Sequence, residues 1–238
     1  MNSESRNIFT RNQASFYPVI KFNSKRDKLL QLDLTDGNTA LKAGIVDDTA
    51  MFAEHISRKL EKARCKFGIG GYGELRNIYG RSPVFSSPGI LEEPRRFHLG
   101  TDIWGPAGTV ISAPVGGMIH SFAYNDRFGD YGATMILLHQ LDGFPFYTLY
   151  GHISLRDISL LQEGQYIIRG EEIAHFGEPH ENGSWPPHLH FQIIFDIGVG
   201  EGDYPGVCKY SEREKYLNNC PDPDLILQMN QYISAYEV

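Results

Sequence analysis

From Arg96 onward, short apolar runs alternate with polar positions and are cut by glycine, a pattern of β-strands, whereas a helical period dominates only one earlier stretch. In F-H-L-G-T-D-I (97–103), period-two alternation predicts a strand with His98, Gly100 and Asp102 on one face and Phe97, Leu99, Thr101 and Ile103 on the other. In P-H-L-H-F-Q-I the same parity sets His188, His190 and Gln192 against an apolar face of Leu189, Phe191, Ile193 and Phe195. M-I-L-L-H-Q-L and F-P-F-Y-T-L-Y-G-H-I flank Asp142-Gly143, a strong hairpin signal, and place Thr148, Tyr150 and His152 on a common face. T-V-I-S-A-P-V, Gly116-Gly117 and M-I-H-S-F-A predict two further strands and a tight turn, and Gly164, Gly170 and Gly177 punctuate more short strands. No long alternation of strand and helix is present, so the predicted fold is mainly β around a compact sheet core.

The flanks differ. Residues 47–66 form the predicted helix: Asp47, Asp48 and Thr49 suit its start, Phe52, Ile56, Leu60 and Ala63 recur near its period, and basic residues close it. Residues 1–20 lack periodicity and predict an irregular start draped over the surface. G-I-G-G-Y-G-E-L-R (68–76) lacks the Lys-Ser/Thr of a phosphate loop and predicts a turn, from which Glu74 and Arg76 are lesser candidates to reach the site. Residues 82–94 carry three prolines and serve as a join. The tail predicts a helical turn at S-E-R-E-K-Y-L and helical spacing at Leu225, Met229 and Ile233. This divides the chain into an extension over 1–94, a β domain over 95–198, and a short helical tail over 199–238 packed on that domain.

Composition narrows the function. A formal net charge of -7 with no cluster of Lys and Arg argues against a nucleic-acid partner. No run of about 18 apolar residues predicts a membrane span. Cys65, Cys208 and Cys220 form neither an even set nor a C-x-x-C pair, which suits a reducing compartment, and the first twenty residues show no classical export signal. A cytoplasmic location is therefore expected.

The chemistry lies in the two histidine stretches. A catalytic zinc site takes three nitrogen or carboxylate ligands and leaves one position open for water. His98, Asp102 and one histidine of H-L-H meet that count, and the donor types suit Zn²⁺ without excluding other first-row metals. H-E-x-x-H, with its glutamate base, is absent, so the proton falls to a histidine: His152 or the other member of H-L-H. His55 on the helix and His120, His139, His175 and His180 receive no role.

H-L-G-T-D-I-W-G-P-A-G-T-V-I-S-A-P-V-G-G-M-I, L-Y-G-H-I-S, E-G-Q-Y-I-I-R-G-E-E-I-A-H-F-G and P-H-L-H-F-Q-I, in this order over roughly residues 95–196, resemble the M23 metallopeptidases, the lysostaphin and LytM type of peptidoglycan endopeptidase. The resemblance implies a small antiparallel β domain like a duplicated hybrid motif, with a groove and one zinc ion per chain. It implies His98, Asp102 and His190 as metal ligands, with His152 and His188 handling the water and the oxyanion. Tyr150 and Trp185 are assigned to the groove lining. Where members carry S-T-G-x-H-L-H-F-E, this chain has N-G-S-W-P-P-H-L-H-F-Q, so Trp185, Pro186 and Pro187 reshape the rim.

The leading expectation is a zinc metalloendopeptidase acting on peptide bonds, with peptidoglycan-type cross-links as substrate. Two alternatives stand beside it: a non-catalytic module that binds peptide or cell-wall fragments, and a cytoplasmic amidohydrolase of this fold acting on another amide. Family analogy implies an exported or periplasmic enzyme, against the location read from the signal and cysteines. A residue from 68–80 at the open metal position would make the chain latent.

Overall fold

The computed structural model of the chain describes residues 3–86, 89 and 92–236. Its strands are β1 (Leu29–Gln31), β2 (Phe67–Gly70), β3 (Arg95–His98), β4 (Thr101–Trp104), β5 (Val110–Ser112), β6 (Gly117–Asn125), β7 (Gly132–Leu141), β8 (Phe144–Ile153), β9 (Tyr166–Ile167), β10 (Glu172–His175), β11 (His188–Ile194), β12 (Val207–Lys209) and β13 (Ile233–Tyr236). Asp142 and Gly143, at φ 51° and 82°, close the β7–β8 hairpin. Positive φ at both central residues is what a two-residue turn needs to match the strand twist, and Asp-Gly supplies it at low cost.

That hairpin is central to a nine-stranded sheet in the order β13-β1-β2-β4-β11-β8-β7-β6-β9. Pairing is antiparallel from β2 to β9, and parallel where β1 joins β2 and β13. Segments before residue 95 and after residue 198 thus extend the same sheet. Two small sheets, β5 with β10 and β3 with β12, lie beside it.

The alternation in β11 sets the layers. Leu189, Phe191 and Ile193 enter the main core with Met135, Leu137 and Phe146, while His188, His190 and Gln192 occupy the other face, also buried. On the extension side, Asp48 caps the helix Thr49–Ala63 by accepting from the Met51 N–H at 2.9 Å. Phe52, Ile56 and Leu60 bury its apolar stripe in a cluster containing Leu30, Leu32, Trp104 and Trp185. Each such side chain contributes on the order of 1.5–3 kcal/mol. The helix thereby backs the tryptophans that flank the histidine face.

Four expectations are corrected. The start is the helix Ser3–Asn12, anchored by fully buried Phe9, whose ring meets Phe146 at 5.0 Å. Residues 97–103 are not one strand: the chain leaves β3, passes Leu99-Gly100 and enters β4, with Leu99 N–H bonded to the Gly206 carbonyl. A Cβ at Gly100 would lie 2.4 Å from His190 Cε1, so the crossing passes against the imidazole only because no side chain is there. Strands β5 and β6 form on either side of Gly116 but pair with β10 and with β7 and β9, so the Gly-Gly turn makes no hairpin. In the tail the helix Arg213–Asn219 is present, but Asp224–Leu227 stops at Gln228 (φ 50°), and Ile233–Tyr236 form β13. The join at 82–94 holds a 3-10 turn at Pro83–Phe85, and its residues 87, 88, 90 and 91 lie outside the described residues. No helix among the described residues is long and apolar enough to cross a membrane, and all three cysteines are free and buried.

Candidate metal centre

Register brings the two histidine stretches together. His190 sits opposite Asp102 across β4–β11, and His98 arrives from the end of β3. His98 Nε2 lies 2.9 Å from His190 Nδ1 and 3.3 Å from Asp102 Oδ1, and His190 Nδ1 is 3.2 Å from the same oxygen. All three side chains are at most 3 % exposed.

The other ring nitrogens settle the tautomers. His98 Nδ1 donates to the Gly71 carbonyl at 2.9 Å, which can only accept, so Nε2 carries a lone pair. His190 Nε2 donates to Gln192 Oε1 at 2.9 Å, and the Gln192 amide group donates in turn to the Pro205 carbonyl at 3.2 Å and to Cys220 Sγ at 3.2 Å, which fixes the amide's orientation. His190 Nδ1 is therefore bare too. Burial first, with a smaller part from Arg76 and His190, outweighs the pull of Asp102 and pushes His98 down to about 4, so it is neutral near pH 7. Burial opposes ionisation of Asp102, but the fixed positive charge of Arg76, bonded to Oδ2, helps hold the carboxyl well below its ordinary value.

With both rings neutral, three acceptor atoms thus face one point. Left alone they repel. A tetrahedral ion with ligands at 2.0–2.1 Å sets its donor atoms about 3.3 Å apart, close to the separations found. The His–Asp–His group fits a metal ion of the zinc type in both spacing and donor chemistry.

His152 and His188 stand beside this group, their rings 4.1 Å apart. His152 Nδ1 donates to the Asn182 carbonyl at 2.8 Å and His188 Nδ1 to the Pro186 carbonyl at 2.7 Å, which leaves both Nε2 atoms as bases. Burial pushes His188 down to about 4; burial and the neighbouring His188 push His152 well below its ordinary value. Trp104 stacks on His188 at 3.9 Å and 15° and fixes its ring plane. His152 has φ 63°, a left-handed conformation that a non-glycine residue adopts at a cost of about 1 kcal/mol or more. Its backbone is held by Tyr131 O and by the Gly177 N–H.

That positive φ explains a correction. Tyr150 pairs across with Phe191 and shares the core face, fully buried, with its hydroxyl bonded to Thr148. Strict alternation would send His152 the same way; the left-handed turn sends it to the cleft instead. Tyr150 is not among the residues lining the cleft, whereas Trp185 is, with its ring edge toward His152 at 6.4 Å.

Three further side chains complete the site, of which the sequence offered only Arg76, as a lesser candidate. Arg76, fully buried, bonds Asp102 Oδ2 at 2.6 Å. Tyr131 lies against the rings of His152 and His190 at 5.5 and 5.2 Å. Asn182, also buried, accepts from the Trp185 N–H at 3.0 Å and donates to the Gly177 and Trp185 carbonyls, so it shapes the loop that carries both His152's acceptor and Trp185. Of these, only Arg76 was within reach of the sequence, as part of the glycine-rich turn at 68–76. The segment 68–80 brings a cation to the site, not a donor for the open metal position.

Residues 96–199 match the model of Peptidase family M23. No curated protein matches the chain significantly. Among solved structures, a zinc-containing peptidase from Vibrio cholerae is 24% identical, covering 46% of this chain and 30% of its own, with a TM-score of 0.34. Csd3 of Helicobacter pylori is 23% identical, covering 52% and 32%, with a TM-score of 0.33. The catalytic domain of the antimicrobial peptidase lysostaphin from Staphylococcus simulans is 20% identical, covering 68% and 97%, with a TM-score of 0.39. This chain thus spans about a third of the length of the first two.

Proposed function

We propose that the chain, whose residues 96–199 match the model of Peptidase family M23, is a zinc-dependent metalloendopeptidase that hydrolyses amide bonds in peptidoglycan-type peptide cross-links. The observation that carries the metal is the convergence of three bare acceptors, His98 Nε2, His190 Nδ1 and Asp102 Oδ1, on one point. We assign the catalytic unit to residues 95–198.

A zinc ion held by these three residues supplies Lewis-acid polarisation of the scissile carbonyl and makes water nucleophilic near neutral pH. The protein's own part is proton transfer. Either bare Nε2, of His152 or His188, accepts the proton of the attacking water, because its Nδ1–H is already committed to a carbonyl. The imidazolium so formed donates to the oxyanion and then delivers its proton to the leaving amine as the C–N bond breaks. With the two rings 4.1 Å apart by centroid, one serves as the base, and its neighbour donates to the developing oxyanion only when its own Nε2 carries a proton. Trp104 and Trp185 line this end of the cleft with apolar surface.

The test is hydrolysis of a panel of cross-linked stem peptides, read by mass spectrometry as the addition of one water and the release of a new amine. Cleavage by the wild type that is lost in His98→Ala and His152→Ala is expected. Intact peptides after incubation with zinc-loaded wild type contradict the proposal.

A further inference from the structure

The segment just before the family-matched region supplies the outer support of two of the three metal-facing groups. Gly71 presents its carbonyl to His98 Nδ1 at 2.9 Å, and five residues later Arg76 reaches Asp102 Oδ2 at 2.6 Å. Both lie outside residues 96–199. The backbone makes this possible: Gly71 has φ +107°, and a Cβ there would fall 1.8 Å from Arg76 Nη2, so only glycine lets the guanidinium lie against the turn. Glu74, on the same turn, bonds Arg76 Nε at 2.9 Å and Tyr79 Oη lies 3.3 Å from its Nη1. A fully buried arginine is costly unless paired. Here two carboxylates pair it, and one of them is Asp102.

An aspartate next to a dication can offer one oxygen or both. With Oδ2 held by a guanidinium, Oδ1 alone is free to face His98 and His190. We propose that Arg76, delivered by the Gly71–Arg76 turn, is a positioning residue of the metal centre: it holds Asp102 in a one-oxygen mode, so that residues 71–76 complete the site's outer support. This rests on the metal-binding reading above. It makes the extension an integral part of the centre, not an appendage to the β domain. Groups that orient metal ligands are typically worth 10–100-fold in metal affinity.

The experiment uses the full chain, stripped of metal and titrated with Zn²⁺ against a chelating competitor, and with Co²⁺ for its visible spectrum. Arg76→Ala is expected to weaken zinc binding about 10–100-fold, and to lower the intensity of the cobalt bands as Asp102 closes to two-oxygen ligation and the coordination number rises. Arg76→Met fills the space of the side-chain stem and is the variant to read if alanine does not fold. Arg76→Lys, which restores one charged donor without the planar fork, is expected between alanine and wild type. Zinc affinity and cobalt spectra in both Arg76→Ala and Arg76→Met that equal wild type, or tighter binding on loss of the arginine, overturn the inference. Wild type that takes up no zinc contradicts the proposed function itself, whereas wild type that binds zinc while these variants bind equally well contradicts only the role of Arg76.

Discussion

Gln192→Leu keeps the approximate side-chain volume on β11 and removes three hydrogen bonds: Oε1 from the His190 Nε2–H, and the amide group to the Pro205 carbonyl and to Cys220 Sγ. The His190 Nε2–H then has only Tyr131 Oη, at 3.4 Å, which is a poor acceptor geometry. Stranding that buried donor costs about 1–3 kcal/mol. The ring escapes part of the cost by changing tautomer, since a proton moved to Nδ1 finds Asp102 Oδ1 at 3.2 Å. That shift is the important consequence, because the lone pair needed for metal is then occupied by a proton. A loss of 10–100-fold in zinc affinity is expected from removing such a partner, equivalent to about 1.4–2.8 kcal/mol at 1.4 kcal/mol per decade. Competition titration of the metal-free full chain measures it, with thermal melting of the same sample as the control for folding. Wild-type zinc affinity in a folded Gln192→Leu chain refutes the tautomer argument on which the metal site rests.

His152→Ala and His188→Ala are each expected to retain zinc while hydrolysis falls roughly 10²–10⁴-fold, as for loss of a positioned acid–base group; metal content and initial rates of peptide cleavage check this. His139, remote from the cleft and buried against Gly116 O and Thr148, is pushed by burial down to about 4 from an unfolded value near 6.5. A depressed histidine contributes stability above its unfolded pKa that is lost as pH falls toward the folded value, so stability should decline from about pH 6.5 to 4 by up to about 3 kcal/mol from this residue. Urea melts across that range, repeated with His139→Gln, measure the share lost. Phe52→Ala empties a fully buried site beside Trp104 and is expected to cost about 3–5 kcal/mol, with a lower cleavage rate as the ring stacked on His188 loosens.

What the sequence revealed and what it concealed follow from the range of the forces involved. The histidine faces of β11 were legible because strand parity is local and both faces of that strand are buried, so a one-residue slip would exchange core for site. The Asp142-Gly143 turn and the Asp48-capped helix were legible for the same reason: each is settled by a few neighbouring residues. His98 and Asp102, singled out from the sequence, do lie side by side, but no single strand joins them, because Gly100 lets the chain cross His190 and move from one sheet to another. Tyr150 and His152 parted company for a comparable reason. A single left-handed residue reverses parity, and the enrichment of histidine in that conformation is too weak to place one from sequence. Arg76 was the hardest to place, since its partner lies 26 positions away and the glycine-rich turn that delivers it carries no motif of its own. The tail became a strand because pairing with β1 outweighed its helical spacing.

His98, Asp102 and His190 form a donor group that could hold one metal ion. Isothermal titration of the metal-free full chain with Zn²⁺ tests this most directly. One ion bound per chain is predicted, with binding abolished in His190→Ala. Absence of zinc binding by the wild type, or binding unchanged by His190→Ala, contradicts it.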